Sequence, residues 1–199
     1  MESGENKCWK ILYAADPAEI CMNALISHDA STGCYLLNSF GTNLVISVTD
    51  KKISGSDTTG ELLLARLGYF SRLSILWYLV SAKNIPLSGK LINPLNLKGG
   101  HLFFRGTHIL PLDKLAEKYN SDIEGFLKKG ISLGGEKVSH GDVAIKLFPL
   151  PRIPVILILW RGDDEFPPRA DLLFDTTSET QLAIDVLWSI AMMSNLIMM

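Results

Sequence analysis

The sequence predicts an α+β protein of one domain, with a mostly antiparallel sheet packed against a long central helix and a C-terminal helix. Three observations carry this. An uninterrupted apolar run, Val155 to Trp160, stands between a proline-rich entry and an acidic, proline-rich exit, and a run without alternation reads as a strand buried on both faces. Leu63, Leu67, Phe70, Leu73, Trp77 and Val80 recur at helical spacing, which is the period of an amphipathic helix. Turn chemistry cuts the rest into short pieces, with no repeat, low-complexity tract or linker to mark a boundary, so residues 1–199 are expected to form a single domain.

In chain order, Trp9, Leu12, Tyr13, Ile20, Ala24 and Leu25 have roughly helical spacing. Asp16-Pro17 splits them into a short helix and a second one over Ala18 to Ile26, because proline suits a first helical turn. Cys34 to Leu37 and Asn43 to Thr49 are rich in aromatic and β-branched residues and flank the turn-forming Asn38-Ser-Phe-Gly41, which predicts a hairpin, with a short third strand near Ile53. Thr58 with Glu61 has capping-box spacing and opens the central helix, Thr59 to Ala82.

Ile85 to Gly106 is punctuated by Pro86, Gly89, Pro94, Gly99, Gly100 and Gly106 and reads as loop, with His101 to Arg105 as its strand. Leu112 to Tyr119 is helical after Pro111. Ser121 with Glu124 caps a short helix that Gly130 terminates, and Gly134-Gly135 turns the chain. Val143 to Phe148 is a strand. Pro149, Pro151 and Pro154 lack backbone donors and so bound the connection to the next strand, Val155 to Trp160. Arg161 to Pro168 forms the exit turn, Ala170 to Phe174 returns, and Ser178 with Gln181 caps a last helix packed through Leu182, Val186, Leu187, Ile190 and Leu196.

Composition limits the functions to consider. The net charge is -2 with a pI near 6.1 and scattered basic residues, which gives no footprint for nucleic acid or an anionic membrane surface. Hydrophobic residues make up 47% and mean hydropathy is +0.21, which calls for a well-filled core or an apolar surface meeting a partner. The start, Met1 to Lys7, is polar, unlike a signal peptide, and polar residues interrupt the apolar C-terminus, so a packed helix is expected there. Cys8, Cys21 and Cys34 form no C-x-x-C pair and read as reduced thiols of a cytoplasmic protein.

No stretch carries a recognisable catalytic motif. Leu97-Lys-Gly-Gly-His101 matches neither a P-loop nor a dinucleotide fingerprint, the four histidines match no common zinc spacing, and no nucleophile elbow occurs. Arg161-Gly-Asp-Asp-Glu165 places acids at a strand end, where Asp163, Asp164 or Glu165 could serve as acid or base or simply form a solvated turn. The charges flanking the buried runs, together with the paired-glycine loop, define the candidate ligand-binding set: Lys98, His101, Arg105, Arg152, Arg161 and Asp175. A buried strand seldom tolerates neighbouring charges unless they pair with one another or with a ligand.

The run Phe148-Pro-Leu-Pro-Arg-Ile-Pro154, then Leu159-Trp-Arg-Gly-Asp-Asp-Glu-Phe-Pro-Pro168 and Leu172-Leu-Phe-Asp175 before a capped helix, resembles the family designated domain of unknown function 3786. The Leu97-Lys-Gly-Gly100 turn is similar to a second feature of that family. The resemblance implies a cytoplasmic α+β domain from an anaerobic bacterium or archaeon and brings no catalytic residue with it. It implies iron–sulfur binding only for relatives with cysteine-bearing extensions, which these 199 residues do not show; three cysteines are also one short of the usual four ligands. It implies a corrinoid-type ligand through one-carbon metabolism, although no D-x-H-x-x-G pattern is present. The expected function is a non-catalytic module binding a small molecule or cofactor, in a pocket between His101 to Arg105 and the charged strand ends. The alternative is an accessory protein docking on an anaerobic redox or methyl-transfer enzyme, with Met192, Met193, Met198 and Met199 as adaptable contacts.

Overall fold

The structure is a computed structural model that describes residues 3–199; Met1 and Glu2, the first residues of the polar start, lie outside the described residues. It is an α+β fold with two sheets. Helices α1 (Gly4–Ala14) and α2 (Pro17–Ala24) open the chain. Asp16 caps α2 by accepting from Ala18 N, and Leu25 ends it in the left-handed region. Strands β1 (Ser27–Asp29), β2 (Cys34–Ser39), β3 (Thr42–Ser47) and β4 (Lys52–Gly55) then form an antiparallel meander in that order. The hairpin turn between β2 and β3 is the pair Phe40-Gly41, both with positive φ (49° and 74°), the conformation that matches strand twist in two-residue hairpins.

The expected helix from Thr59 to Ala82 is not continuous. A short α3 (Thr58–Glu61), capped by Asp57 rather than Thr58, passes into a π turn over Leu62–Arg66, and α4 (Gly68–Ser81) leaves it at 99°. The break is stabilised by side chains that satisfy stranded carbonyls: Ser71 Oγ donates to Leu63 O at 2.7 Å and Arg72 Nη2 to Leu64 O at 3.2 Å. Spacing alone missed it because the apolar period survives the bend, although Gly68 weakens a helix at that point.

Beyond the short strand β5 (Leu91–Ile92), the expected strand His101 to Arg105 is instead a single helical turn, α5 (Gly100–Phe103), between 3₁₀ turns at Pro94–Asn96 and Gly106–His108. Gly100 is the reason: a Cβ there would lie 1.9 Å from Pro94 O, so the chain turns tightly where an extended segment has no room. Helices α6 (Leu112–Tyr119) and α7 (Ile123–Ser132) follow. The cap of α7 is Asp122, which accepts from Gly125 N, not Ser121. Gly130 lies within α7 and lets it approach Ile145, which a Cβ would meet at 2.5 Å.

Strands β6 (Glu136–Val138), β7 (Val143–Leu150), β8 (Ile153–Trp160) and β9 (Arg169–Asp175) form a second antiparallel meander, and β5 adds to the free side of β9. The apolar run is therefore the middle strand, buried from Ile153 to Leu159. Pro149 and Pro154 lie inside strands rather than between them. Pro149 is tolerated because the β7–β8 register shifts between Leu147 and Leu150, which relieves it of a ladder bond. The turn is the pair Pro151-Arg152.

The last helix is also divided. Ser178 to Gln181 is a separate turn, α8, and α9 (Ile184–Ile197) begins at Ala183 without a side-chain cap. Helix α9 packs on α4 and on β7 and β8. One large buried cluster draws on α1, both sheets, α4, α6, α7 and α9; a small second cluster, Ala144, Ile156 and Ile158, lies on the other face of the second sheet. Of the four methionines near the C-terminus, Met193 and Met198 are buried in the large cluster, Met192 is half-buried and Met199 is exposed, so half of that set is core. Among the described residues no single helix is long and apolar enough to cross a membrane.

Candidate functional site

None of the cavities described is lined by more than one of the six charged residues singled out by the sequence. Arg152, at the β7–β8 turn, is 9% exposed. Its Nε donates to Asn23 O at 2.7 Å, Nη1 to Ile85 O at 3.1 Å, and Nη2 to Met22 O at 3.0 Å and Asn84 Oδ1 at 2.7 Å. The backbone N of Arg152 donates to Tyr78 Oη, whose hydroxyl donates to Ala24 O. Most of the fork is therefore consumed by the carbonyl end of α2 and the chain leaving α4, where a cation is favoured. The contacts are neutral carbonyls, and burial without a carboxylate is tolerated because the charge is thoroughly hydrogen-bonded.

Asp175 is equally occupied. Its carboxylate accepts from Ser88 N and Oγ, Gly89 N, and Thr177 N and Oγ1, all within 2.7 to 3.1 Å. Burial pushes its pKa up, but the hydrogen bonds from Thr177 and Ser88 together outweigh that and leave it below the ordinary 3.8. Lys98 is exposed, and its backbone N donates to Glu179 Oε2. His101 and Arg105 are exposed around α5. Arg161 is exposed beside a shallow polar hollow lined by Asn120, Ser121, Asp122 and Glu124. Asp163, Asp164 and Glu165 are exposed, and Asp163 closes its own turn by accepting from Glu165 N and Phe166 N. Cys8 is buried and its thiol is pushed up to about 11 by that burial, so it is a poor nucleophile.

The structure assembles a different site, between α4, the turn after α5, and α9. A cleft of about 280 Å³ is lined by Tyr69, Leu73 and Ser74 of α4, Phe103 and His108, and Asp185, Val186, Trp188 and Ser189 of α9. Its rings are fixed relative to one another: Phe103 and His108 lie 4.6 Å apart and 32° from parallel, and Trp188 stands at 86° to His108 and 68° to Phe103. Trp188 Nε1 donates to His108 O at 2.7 Å, which anchors the indole and ties α9 to the loop. A smaller adjoining hollow shares Asp185 and Val186 and adds Trp77, Ser81 and Leu182. Rings held at near-right angles with hydroxyls and a carboxylate at the margin have the make-up of a small-molecule pocket. The sequence points to one wall of it, the His101 to Arg105 segment that holds Phe103, but not to the other, because Trp188 belongs to a helix whose apolar residues read as core. Tyr69, 85% exposed, is the visible exception, an aromatic beside the α4 stripe rather than on it.

Fold and cleft together define an α+β protein with an aromatic-walled pocket and no motif of a known enzyme class. Residues 16–196 match the model of the domain of unknown function DUF3786, and the chain belongs to that family. Searches of curated proteins and of solved structures returned no match.

The cofactors implied by the resemblance fit this chain poorly. The cleft volumes, about 200 to 340 Å³, lie at or below the lower end of the roughly 300–1,000 Å³ range of drug-sized pockets, and a corrin ring needs more. Among the described residues, no three His, Cys, Asp or Glu side chains are placed to hold a metal ion.

Proposed function

We propose that the protein is a non-catalytic module that binds a small molecule in the cleft between α4 and α9. The observation that carries this is the Phe103, His108 and Trp188 ring set, held rigid by the Trp188 to His108 hydrogen bond and left half-exposed. Rigid, incompletely buried rings lose little entropy on binding and offer large apolar area. In this reading residues 1–199 act as one unit in a reducing cytoplasm. The support is the large buried cluster shared by both sheets and the three free thiols. The Trp188 indole N–H is a built-in reporter, assignable by comparison with W188F. Titration of a fragment set in two-dimensional NMR is expected to shift that resonance for at least one compound; binders that perturb only other regions, or none at all, defeat the proposal.

A second reading, docking on a protein partner, is favoured by Leu102 and Ile109, which are 74% and 64% exposed on the segment that bounds the cleft. Tagged wild type and L102E/I109E purified side by side from the native host decide it: a partner held by the wild type and lost by the variant supports docking, and identical partner sets count against it.

A further inference from the structure

The geometry points to a ligand of a definite class: a small methylated ammonium ion, its cationic head in the corner formed by Trp188 and the Phe103–His108 pair and facing Asp185. This rests on the small-molecule reading above and names its substrate class. Two independent features carry it. The first is ring arrangement, since Trp188 stands at 86° to His108 and 68° to Phe103, giving two walls that meet near a right angle. Two aromatic walls meeting at such an angle present ring quadrupole to two sides of a tetrahedral ammonium head, and methyl groups on nitrogen pack against the ring surfaces without needing hydrogen-bond partners.

The second feature is charge. Among the described residues that line the cleft, Asp185 is the one acid and none is lysine or arginine. Asp185 Oδ1 accepts from Val186 N at 2.9 Å, which orients the carboxylate, while Oδ2 has no hydrogen-bond or ion-pair partner among the described residues. An anionic ligand would meet that carboxylate with neither lysine nor arginine in the lining to offset it, and a neutral ligand would use it only through an O–H or N–H donor, without the charge. A methylated cation uses both the rings and the acid. The volume, about 280 Å³, is ample for a molecule of this size.

The test is a matched pair of probes, choline and its uncharged carbon isostere 3,3-dimethylbutan-1-ol, titrated against wild type and Asp185→Asn with the Trp188 indole N–H and calorimetry as readouts. Choline is expected to bind about tenfold more tightly than the isostere, and Asp185→Asn to weaken choline about fivefold while leaving the isostere unchanged. Equal binding of the two probes, or choline binding untouched by Asp185→Asn, overturns the inference. If the isostere or another neutral fragment shifts Trp188 while choline does not, the cleft stands as a site and only the ligand class falls. If nothing shifts Trp188, both readings fall. The comparison of the two probes is measured on wild type, so that arm of the test does not depend on the variant folding.

Discussion

Asp175 shows how a charge beside a buried strand is accommodated without any ligand. Its hydrogen bonds come from both sides of the β5–β9 pairing, from Ser88 and Gly89 before β5 and Thr177 after β9, so it fastens one chain segment to another. The sequence marks it correctly as special, since a strand-end carboxylate demands partners, but does not say that those partners are the protein's own amides and hydroxyls. D175N removes the charge from these bonds and is expected to cost about 1–3 kcal/mol, read by urea denaturation. The pH dependence follows from the lowered pKa. A group whose folded pKa is depressed contributes stability that is present above its ordinary value, 3.8, and is lost as pH falls through the folded value. Wild type is therefore expected to lose its advantage over D175N below pH 3.8, and parallel melting curves for the two proteins across that window would rule this out.

At the scale of elements, the joint between the two sheets is made by turns. The β2–β3 turn presses on the turn after α7 so closely that a Cβ on Gly134 would lie 2.8 Å from Gly41 Cα, and Gly134 has a φ of 69°. G134A combines a left-handed alanine with a backbone clash and is expected to destabilise by about 2–4 kcal/mol, measured by urea denaturation; a loss below that range would mean that the turns part easily. The same hairpin tip reaches β7, where Phe40 N donates to Phe148 O at 2.9 Å and Ser39 Oγ to Pro149 O at 2.7 Å. Most elements were legible locally, since the hairpin, α6, α7 and the central strand follow period and turn chemistry. The errors fall where contacts six to eight residues apart, outside the helical and strand periods, outweigh local preference: the bend before Gly68, closed by Ser71 and Arg72, and the α5 turn, set by the close packing of Gly100 on Pro94.

Across the whole molecule, the proline-rich run that resembles the family signature is a structural junction. Phe148 and Pro149 receive the first sheet, Pro151-Arg152 turns the second, and the Arg152 guanidinium gathers α2 and the segment after α4. R152A leaves several of those carbonyls without donors and is expected to cost roughly 3 kcal/mol or more. R152K restores only part of this, because one ammonium cannot reproduce a planar fork with carbonyls on several sides. Hydrogen exchange should show α2 loosening in both variants, and an R152K protein as stable as wild type would mean that Arg152 is not the organiser.

From residues alone came the α+β class, the buried central strand and the importance of the run from Phe148 to Asp175, because periodicity, proline geometry and hydrophobicity act over a few neighbouring residues. Beyond the His101 to Arg105 segment, which the sequence marks as a pocket wall and which holds Phe103, the cleft was decided by tertiary structure. Tyr69, Phe103, His108, Asp185 and Trp188 come from three separate stretches and share no spacing. Only the bend before α4, the tight α5 turn and the seat of α9 on the second sheet bring their rings and carboxylate to one place.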